Sequence, residues 1–470
     1  MSKKPNIIFI MSDDHASHAM SCYGSRINST PNLDRIASGG MLFKNCFCTN
    51  SICTPSRAAI LTGTYNHVNK VTTLSTPMDN QLRTFPKILR GQGYQTAVFG
   101  KWHLGTGPEH CPTGFDEWAV LPGQGLYHNP DFIFRAPGGG KKSIVKGYVT
   151  DIIADMSLDW LKARDRQRPF CLLCHNKAPH RPWEPDEKHA HLYLNREIPE
   201  PGTLYDDYSN RSSAAAAATL RVGRDMDERD MKCGINRGLS ENELRKWAYQ
   251  LYIKDYLRVI ASVDENTGRI LDYLDKEGLS ENTIVIYTSD QGFFLGDHGW
   301  FDKRFMYEES LRMPFIIRYP EEIKAGSVNS DMILNVDFAG TFIDYSGGDV
   351  PSGMQGRSFR PLLKGHLPEG WQTSMYYRYW MHGGHNVYAH YGVRTLRHKL
   401  IYYYADGLGQ PGTLDTKEPP EWELFDMEKD PCELNNVYGV PAYADIVTEM
   451  KNELHRLQVK LGDEPYFREI

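Results

Sequence analysis

The sequence predicts an α/β fold: a large mixed, mostly parallel sheet flanked by helices, with a smaller C-terminal α+β unit built on an antiparallel sheet. Three observations predict it. Nearly all-apolar runs of strand length alternate with helical segments, the pattern of a parallel sheet covered on both faces. Four of those runs end in clusters of acids, lysine and histidine, and ligands of such sheets bind outside the carboxyl ends of the strands. After about residue 360 the texture changes to consecutive aromatic-rich strands and one final helix.

Taken in order, "NIIFIM" runs into Ser12, Asp13, Asp14 and His15, and "TPNLDRIASGG" reads as the first covering helix. "TFPKILRGQG" is helical, and "YQTAVFG" then runs into Lys101, Trp102 and His103. "PFCLLC" leads to His175 and, within "KAPHRPW", to His180. The stretch 212–241 reads as an insertion, helical at its start and mobile later. "LYIKDYLRVIASVDENTGRILDYLDKEG" is a long helix, and "TIVIYTS" runs into Asp290, Gln291 and Gly292. Beyond it, "MYYRYWMHGG", "VYAHYGVRT" and "HKLIYYYADG" are strands of the smaller unit, closed by the helix "ADIVTEMKNELHRLQVKLG". The reading divides the chain into 1–360 and 361–470.

Composition sets bounds on function. The 470 residues are 40% hydrophobic and 24% charged, enough for a large core. The apolar runs are too short to span a membrane. A net charge of −6 argues against nucleic acid as a partner, yet a local basic pocket can still take an anion. The nine cysteines are odd in number and irregularly spaced, so no disulfide framework is expected, and Cys171 and Cys174 read as structural thiols of a buried strand. "MSKKPNIIFIM" lacks the pattern of a secretory signal, which predicts a cytoplasmic location, or a periplasmic or secreted one if the natural start lies elsewhere.

One stretch carries the chemistry: "CTPSRAAILTG", residues 53–63. Thr54 reads as a helix cap, Pro55 as the first helical residue and Gly63 as the terminator. Cys53 would then lie at a helix N-terminus, where an anion is favoured. By itself this is a thiol of lowered pKa or a buried one, and the nearby aspartates suit a hard cation rather than a thiolate. Likewise, paired aspartates after a strand are otherwise a cap or turn, and lone lysines and histidines are otherwise surface or structural groups.

The stretch resembles the C-x-P-S-R-x-x-x-L-T-G signature of the formylglycine-dependent sulfatases of the alkaline phosphatase superfamily. "NIIFIMSDDH", "GKWHLG", "KAPHRP", "SDQGFFLGDHGWFDKR" and "ELFDMEKDPCELNN" extend the resemblance along most of the chain. The resemblance implies that Cys53 is oxidised to formylglycine by a maturation enzyme, a transient partner. The aldehyde hydrate would attack sulfur, and its second hydroxyl would expel sulfate. It implies Asp13, Asp14, Asp290, Gln291 and residue 53 as ligands of Ca²⁺, or less readily Mg²⁺. Arg57 would hold residue 53, Lys101 and Lys303 would neutralise sulfate oxygens, His103 would act as base, and His180 would protonate the leaving oxygen. His175 reads as structural, and His15 as either support or substrate contact.

The resemblance further implies a sulfated carbohydrate substrate. A chondroitin or dermatan sulfate hexosamine ester stands first, with N-acetylglucosamine 6-sulfate and algal galactans as alternatives. His298, Arg378, His382, His385 and Arg394 are the candidate sugar contacts. Two rivals are a phosphodiesterase or phosphonate monoester hydrolase on the same scaffold and a non-catalytic glycan binder.

Overall fold

A computed structural model of the chain describes residues 4–236 and 238–463. Its large sheet is built from β1 (Asn6–Ser12), β2 (Met41–Phe47), β3 (Gln95–Lys101), β4 (Glu117–Leu121), β5 (Asp131–Phe134), β6 (Lys141–Ile144), β7 (Phe170–His175) and β8 (Thr283–Ser289). A two-stranded hairpin follows, β9 (Phe294–Leu295) and β10 (Phe301–Asp302), and β11 (Arg312–Arg318), β12 (Ser327–Asn329) and β13 (Ile333–Leu334) complete the large sheet. The order is β12-β2-β11-β8-β1-β7-β3-β4-β5-β6, with β13 also on β2. The four runs with polar ends are thus its adjacent centre, β8-β1-β7-β3, and all pair in parallel.

The reason lies in their side chains. Ile7, Phe9 and Met11 enter one apolar cluster while Ile8 and Ile10 enter another, so both faces of β1 are buried and no polar alternation is tolerated. Helices Pro31–Ser38, Val149–Ala163 and Glu241–Lys276 pack together on one side; Cys53–Thr62, Phe85–Gly91 and Asp337–Tyr345 pack together on the other. Truncating Phe9 to Ala at this centre is expected to cost about 3–5 kcal/mol. The long helix starts at a capping box between Ser240 and Glu243. It also braces the site: the Tyr256 hydroxyl donates to the Asp14 carbonyl at 2.7 Å.

The smaller sheet is antiparallel throughout, in the order β14 (Ser374–Tyr379), β15 (His390–Thr395), β16 (His398–Tyr403) and β17 (Glu421–Asp426). Helix Ala444–Leu461 lies against it. Its Tyr376, Val393 and Leu400 share one continuous apolar cluster with Phe9 and Phe315 of the large sheet. The insertion forms helices Ser213–Ala217 and Glu228–Met231. Its second half, expected to be mobile, holds buried Asp230 in an ion pair with Arg181. All nine cysteines are free. No helix among the described residues is long and apolar enough to cross a membrane.

Candidate active site

The parallel register delivers the acidic groups. Ser12 pairs with Ser289, so Asp13 and Asp14 leave β1 beside Asp290 leaving β8, and the Asp290 N–H donates to the Ser12 carbonyl at 3.1 Å. Asp14 takes φ 72°, a left-handed conformation that aspartate tolerates better than most residues. Asp13, Asp14 and Asp290 are buried, and each offers an oxygen within 4.8 Å of the others. Asp13, Cys53 and His180 form a second such group. Gln291 Nε2 donates to Asp14 Oδ1 at 2.5 Å. Within this group two oxygens have no hydrogen-bond partner, Asp13 Oδ1 and Gln291 Oε1.

Helix Cys53–Thr62 is buried along its whole length and ends at Gly63 with φ 64°, as its sequence requires. Its start differs from expectation. Ile52, not Thr54, is the capping position, so Cys53 is the first helical residue and Pro55 the third. The reason is that the Thr54 hydroxyl is spent on the His103 carbonyl at 2.8 Å. Proline is tolerated at the third position because the first-turn N–H groups have no intrahelical partner. Arg57 Nε donates to Asp290 Oδ2 at 2.9 Å and Nη1 to the Lys101 carbonyl at 2.7 Å, while Nη2 has no partner. Burial pushes the Cys53 thiol up to about 12, outweighing the pull of Lys303 and Arg57. An unmodified Cys53 is therefore no thiolate nucleophile.

Cations close the ring. Lys101 ion-pairs with Asp13 and donates to Gln124, and Lys303 Nζ pairs with Asp14 at 2.7 Å. Burial still raises Asp14 to about 6 despite Lys303. Burial, with Lys101 adding to it, holds both His103 and His180 well below the ordinary histidine range, so both imidazoles are neutral. Neutral His180 donates from Nδ1 to the Arg181 carbonyl at 2.7 Å, which leaves the Nε2 lone pair 3.9 Å from Asp14 Oδ2. A cleft of ≈ 340 Å³ opens beside His103 and is lined by Leu74, Ser75, Pro77 and Thr106.

His15, read as either support or substrate contact, and His175, read as structural, are both held by hydrogen bonds inside the protein. His15 is buried with Nδ1 against the Tyr287 hydroxyl, and His175 Nδ1 lies 3.2 Å from the Lys101 carbonyl. Of the five candidate sugar contacts, four are committed elsewhere. His298 is buried against Arg211, Asp206 and Glu309. Arg378 pairs with Asp463 at 2.7 Å and lies 3.4 Å from the Trp380 ring centre. Arg394 grips both oxygens of Glu308 at 3.0 and 3.2 Å. His382 is buried and reaches Thr416 at 3.2 Å. His385 alone approaches the site, with Nε2 4.0 Å from Asp302 Oδ2.

Several site residues escaped the sequence reading. Asp302 (φ 79°) and Arg304 (φ 91°) flank Lys303 in left-handed conformations, and Arg304 Nε donates to Asp302 Oδ1 at 3.2 Å. Their signal was the run Asp-Lys-Arg itself. Gln124 reaches Lys101 from a loop that carries no motif. Lys177 opens "KAPHRP", is buried, and has an ammonium that burial lowers to about 8.

Carboxylates, an amide, two lysines and a helix-start residue gathered at the ends of parallel strands define a hydrolase of anionic esters. The model of the family described as sulfatase matches residues 5–348, and that of the N-sulphoglucosamine sulphohydrolase C-terminal region matches residues 296–460. The chain belongs to the sulfatase family and is a sulfuric ester hydrolase. It is 44% identical to the N-acetylglucosamine-6-O-sulfatase of Bacteroides thetaiotaomicron over 98% of this chain and 88% of that protein. A solved structure in complex with its substrate D-glucosamine-2-N,6-O-disulfate superposes with a TM-score of 0.91 at 43% identity, covering 98% of this chain and 99% of that one. The phosphonate monoester hydrolase of Agrobacterium radiobacter shares the fold at a TM-score of 0.77 and 21% identity, over 97% of this chain and 96% of that one.

Proposed function

We propose that this sulfatase removes the 6-O-sulfate from N-acetylglucosamine or N-sulfoglucosamine units of a glycosaminoglycan, using formylglycine at position 53 and Ca²⁺. The observation that carries the sugar assignment is the 44% identity, over nearly the whole chain, to a protein named for that activity. This reading displaces the chondroitin or dermatan ester as first choice.

The donor set fits the ion. Asp13, Asp14, Asp290 and Gln291 offer hard oxygens, and the unpartnered Asp13 Oδ1 and Gln291 Oε1 are what a calcium site leaves open to its cation. Gln291, longer than the asparagine common in the family, supports the ligand role through that free amide oxygen. When bound, Ca²⁺ polarises a sulfate oxygen, and formylglycine supplies as its hydrate one hydroxyl to attack and one to retain.

The chain's own side chains do the rest. Arg57 fixes the helix start against Asp290, and Lys101 and Lys303 offset negative charge on the sulfate oxygens as it builds up. Thr54 gives its proton to the His103 carbonyl, so its oxygen is an acceptor for His103 Nδ1–H at 3.4 Å; Nε2 is then the base that takes a proton from residue 53. His180 presents Nε2, which must first take up a proton, as the negative charge of the bound sulfate favours, before passing it to the departing sugar oxygen. Asp302, Arg304 and His385 form the wall next to Lys303 and supply sugar contacts. A formylglycine-generating enzyme is the maturation partner.

The test is sulfate release by fully modified enzyme from N-acetylglucosamine 6-sulfate and glucosamine-2-N,6-O-disulfate, against chondroitin disaccharides and a phenyl phosphonate. A preference for either glucosamine substrate of at least about tenfold in kcat/KM is expected. A preference for the chondroitin disaccharides would return the assignment to that ester.

A further inference from the structure

Four lysines are buried among the described residues: Lys101, Lys177, Lys303 and Lys399. Three have carboxylate partners, namely Asp13 for Lys101, Asp14 for Lys303, and Glu308 with Glu433 for Lys399. Lys177 has no carboxylate within 4.0 Å among the described residues. Its ammonium makes a single long hydrogen bond, 3.3 Å to the Arg181 carbonyl, and lies 4.7 Å over the Tyr127 ring. Glu184 and Asp14 act on it only from a distance, and burying a cation without a contacting counter-charge costs several kcal/mol, so a fold that keeps one has a use for it.

Its surroundings say which use. The Asp13 N–H donates to the carbonyl of Ala178 at 3.3 Å, which ties the segment after Lys177 to the acidic loop. The carbonyl that Lys177 reaches also holds His180 Nδ1, at 2.7 Å. The ammonium and the imidazole are therefore neighbours across one oxygen. The Tyr127 hydroxyl donates to the His180 carbonyl at 2.5 Å and keeps its ring beneath the ammonium. An ammonium has three donors. Here one is engaged weakly, and its missing partner is an anion that arrives with the substrate.

We propose that Lys177 is a third sulfate-binding lysine, donating to an oxygen of the sulfate ester between residue 53 and His180. This rests on the proposed sulfatase site at residue 53, but it deepens it by a residue that the catalytic reading does not use. It also predicts an inverted stability effect. Replacing Lys177 with an uncharged residue of similar length removes an unpaired buried charge and leaves the fold at least as stable.

The experiment compares wild-type protein with Lys177→Gln, Lys177→Met and Lys177→Arg. Inorganic sulfate binding is read by calorimetry, melting temperature without ligand by calorimetric scan, and kcat/KM on glucosamine-2-N,6-O-disulfate. For Gln and Met, sulfate affinity falls about tenfold or more, kcat/KM falls about 10²-fold, and the melting temperature is unchanged or raised. Arg recovers part of the affinity. Sulfate affinity within twofold of wild type for both Gln and Met overturns the proposal, as does a fall in melting temperature that accounts for the whole loss. Sulfate binding needs no turnover, so the result stands apart from the sugar assignment. A wild type that binds sulfate but releases none from either glucosamine substrate defeats the sugar reading and leaves Lys177 to be judged on affinity.

Discussion

Two regions of this molecule bury charge to a similar depth and use it differently. In the smaller sheet, Arg394 grips both oxygens of Glu308, Lys399 bridges Glu308 and Glu433 at 3.0 and 2.6 Å, and Arg378 and the Tyr376 hydroxyl share Asp463. At the ends of the central strands, Asp13 Oδ1, Gln291 Oε1 and Arg57 Nη2 are left without partners, and Lys177 has no carboxylate within 4.0 Å among the described residues. Burial is thus no guide to function here. Unpartnered atoms also occur in the smaller unit, at His390 Nε2 and the Gln458 amide, so what marks the strand ends is that theirs converge with three buried carboxylates. A closed network holds structure together, and an open one is completed by what binds.

The comparison breaks first at residue 53. Cys53→Ala is expected to lose at least about 10⁴-fold in kcat on any sulfate ester. Its melting temperature stays close to that of wild type, since only a small buried group is removed. Retained turnover would mean that the open region is not the catalytic one. Next comes the cation. Calcium should raise the wild-type melting temperature in proportion to its occupancy, and chelation should lower activity about 10²-fold or more. Asp13→Ala should lose both responses. If it keeps the calcium-dependent rise in a thermal scan, the unpartnered oxygens are not a metal site.

The closed region should answer the opposite way. Arg394→Met leaves Glu308 to Lys399 alone and is expected to cost about 3 kcal/mol in denaturant unfolding, with kcat/KM of the folded fraction within about twofold of wild type. A loss of kcat/KM without loss of stability would restore Arg394 as a sugar contact. The smallest effect is on His298. Burial alone would lower it, but hydrogen bonds to Asp206 and Glu309 outweigh burial and raise it to about 9, against Arg211. A raised histidine contributes stability that is full below its unfolded value near 6.5 and lost as pH rises through 9. Wild type should therefore lose on the order of 3 kcal/mol between pH 6 and 10 relative to His298→Asn. Parallel pH–stability curves would show that His298 carries no such charge.

The central strands were legible because nothing polar interrupts them, and Asp13, Lys101 and Asp290 could be placed from the residues that follow each run. Arg378 and Arg394 were read as candidate sugar contacts, and the structure gives each a buried carboxylate partner. Charges in an edge domain read as outward-facing, but this sheet has helix Ala444–Leu461 on one face and shares a core with the large sheet on the other. Both faces are buried, and the arginines are paired inside. Gln124 was invisible because its loop carries no motif, and Lys177 was passed over because "KAPHRP" was read for His180 alone. Only the tertiary approach of Gln124 to Lys101, and the lack of a carboxylate within 4.0 Å of Lys177 among the described residues, gives them meaning.

The complete burial of helix Cys53–Thr62 sets a clock. A second protein cannot reach the Cys53 sulfur once this helix is seated, so any enzyme that rewrites residue 53 must meet the chain while the segment is still extended. Modification and folding then compete for the same nascent polypeptide. Molecules that fold first are trapped with an inert thiol, native in shape and silent in assay. In a preparation that outruns its modifying enzyme, specific activity would report the outcome of that race rather than the quality of the site.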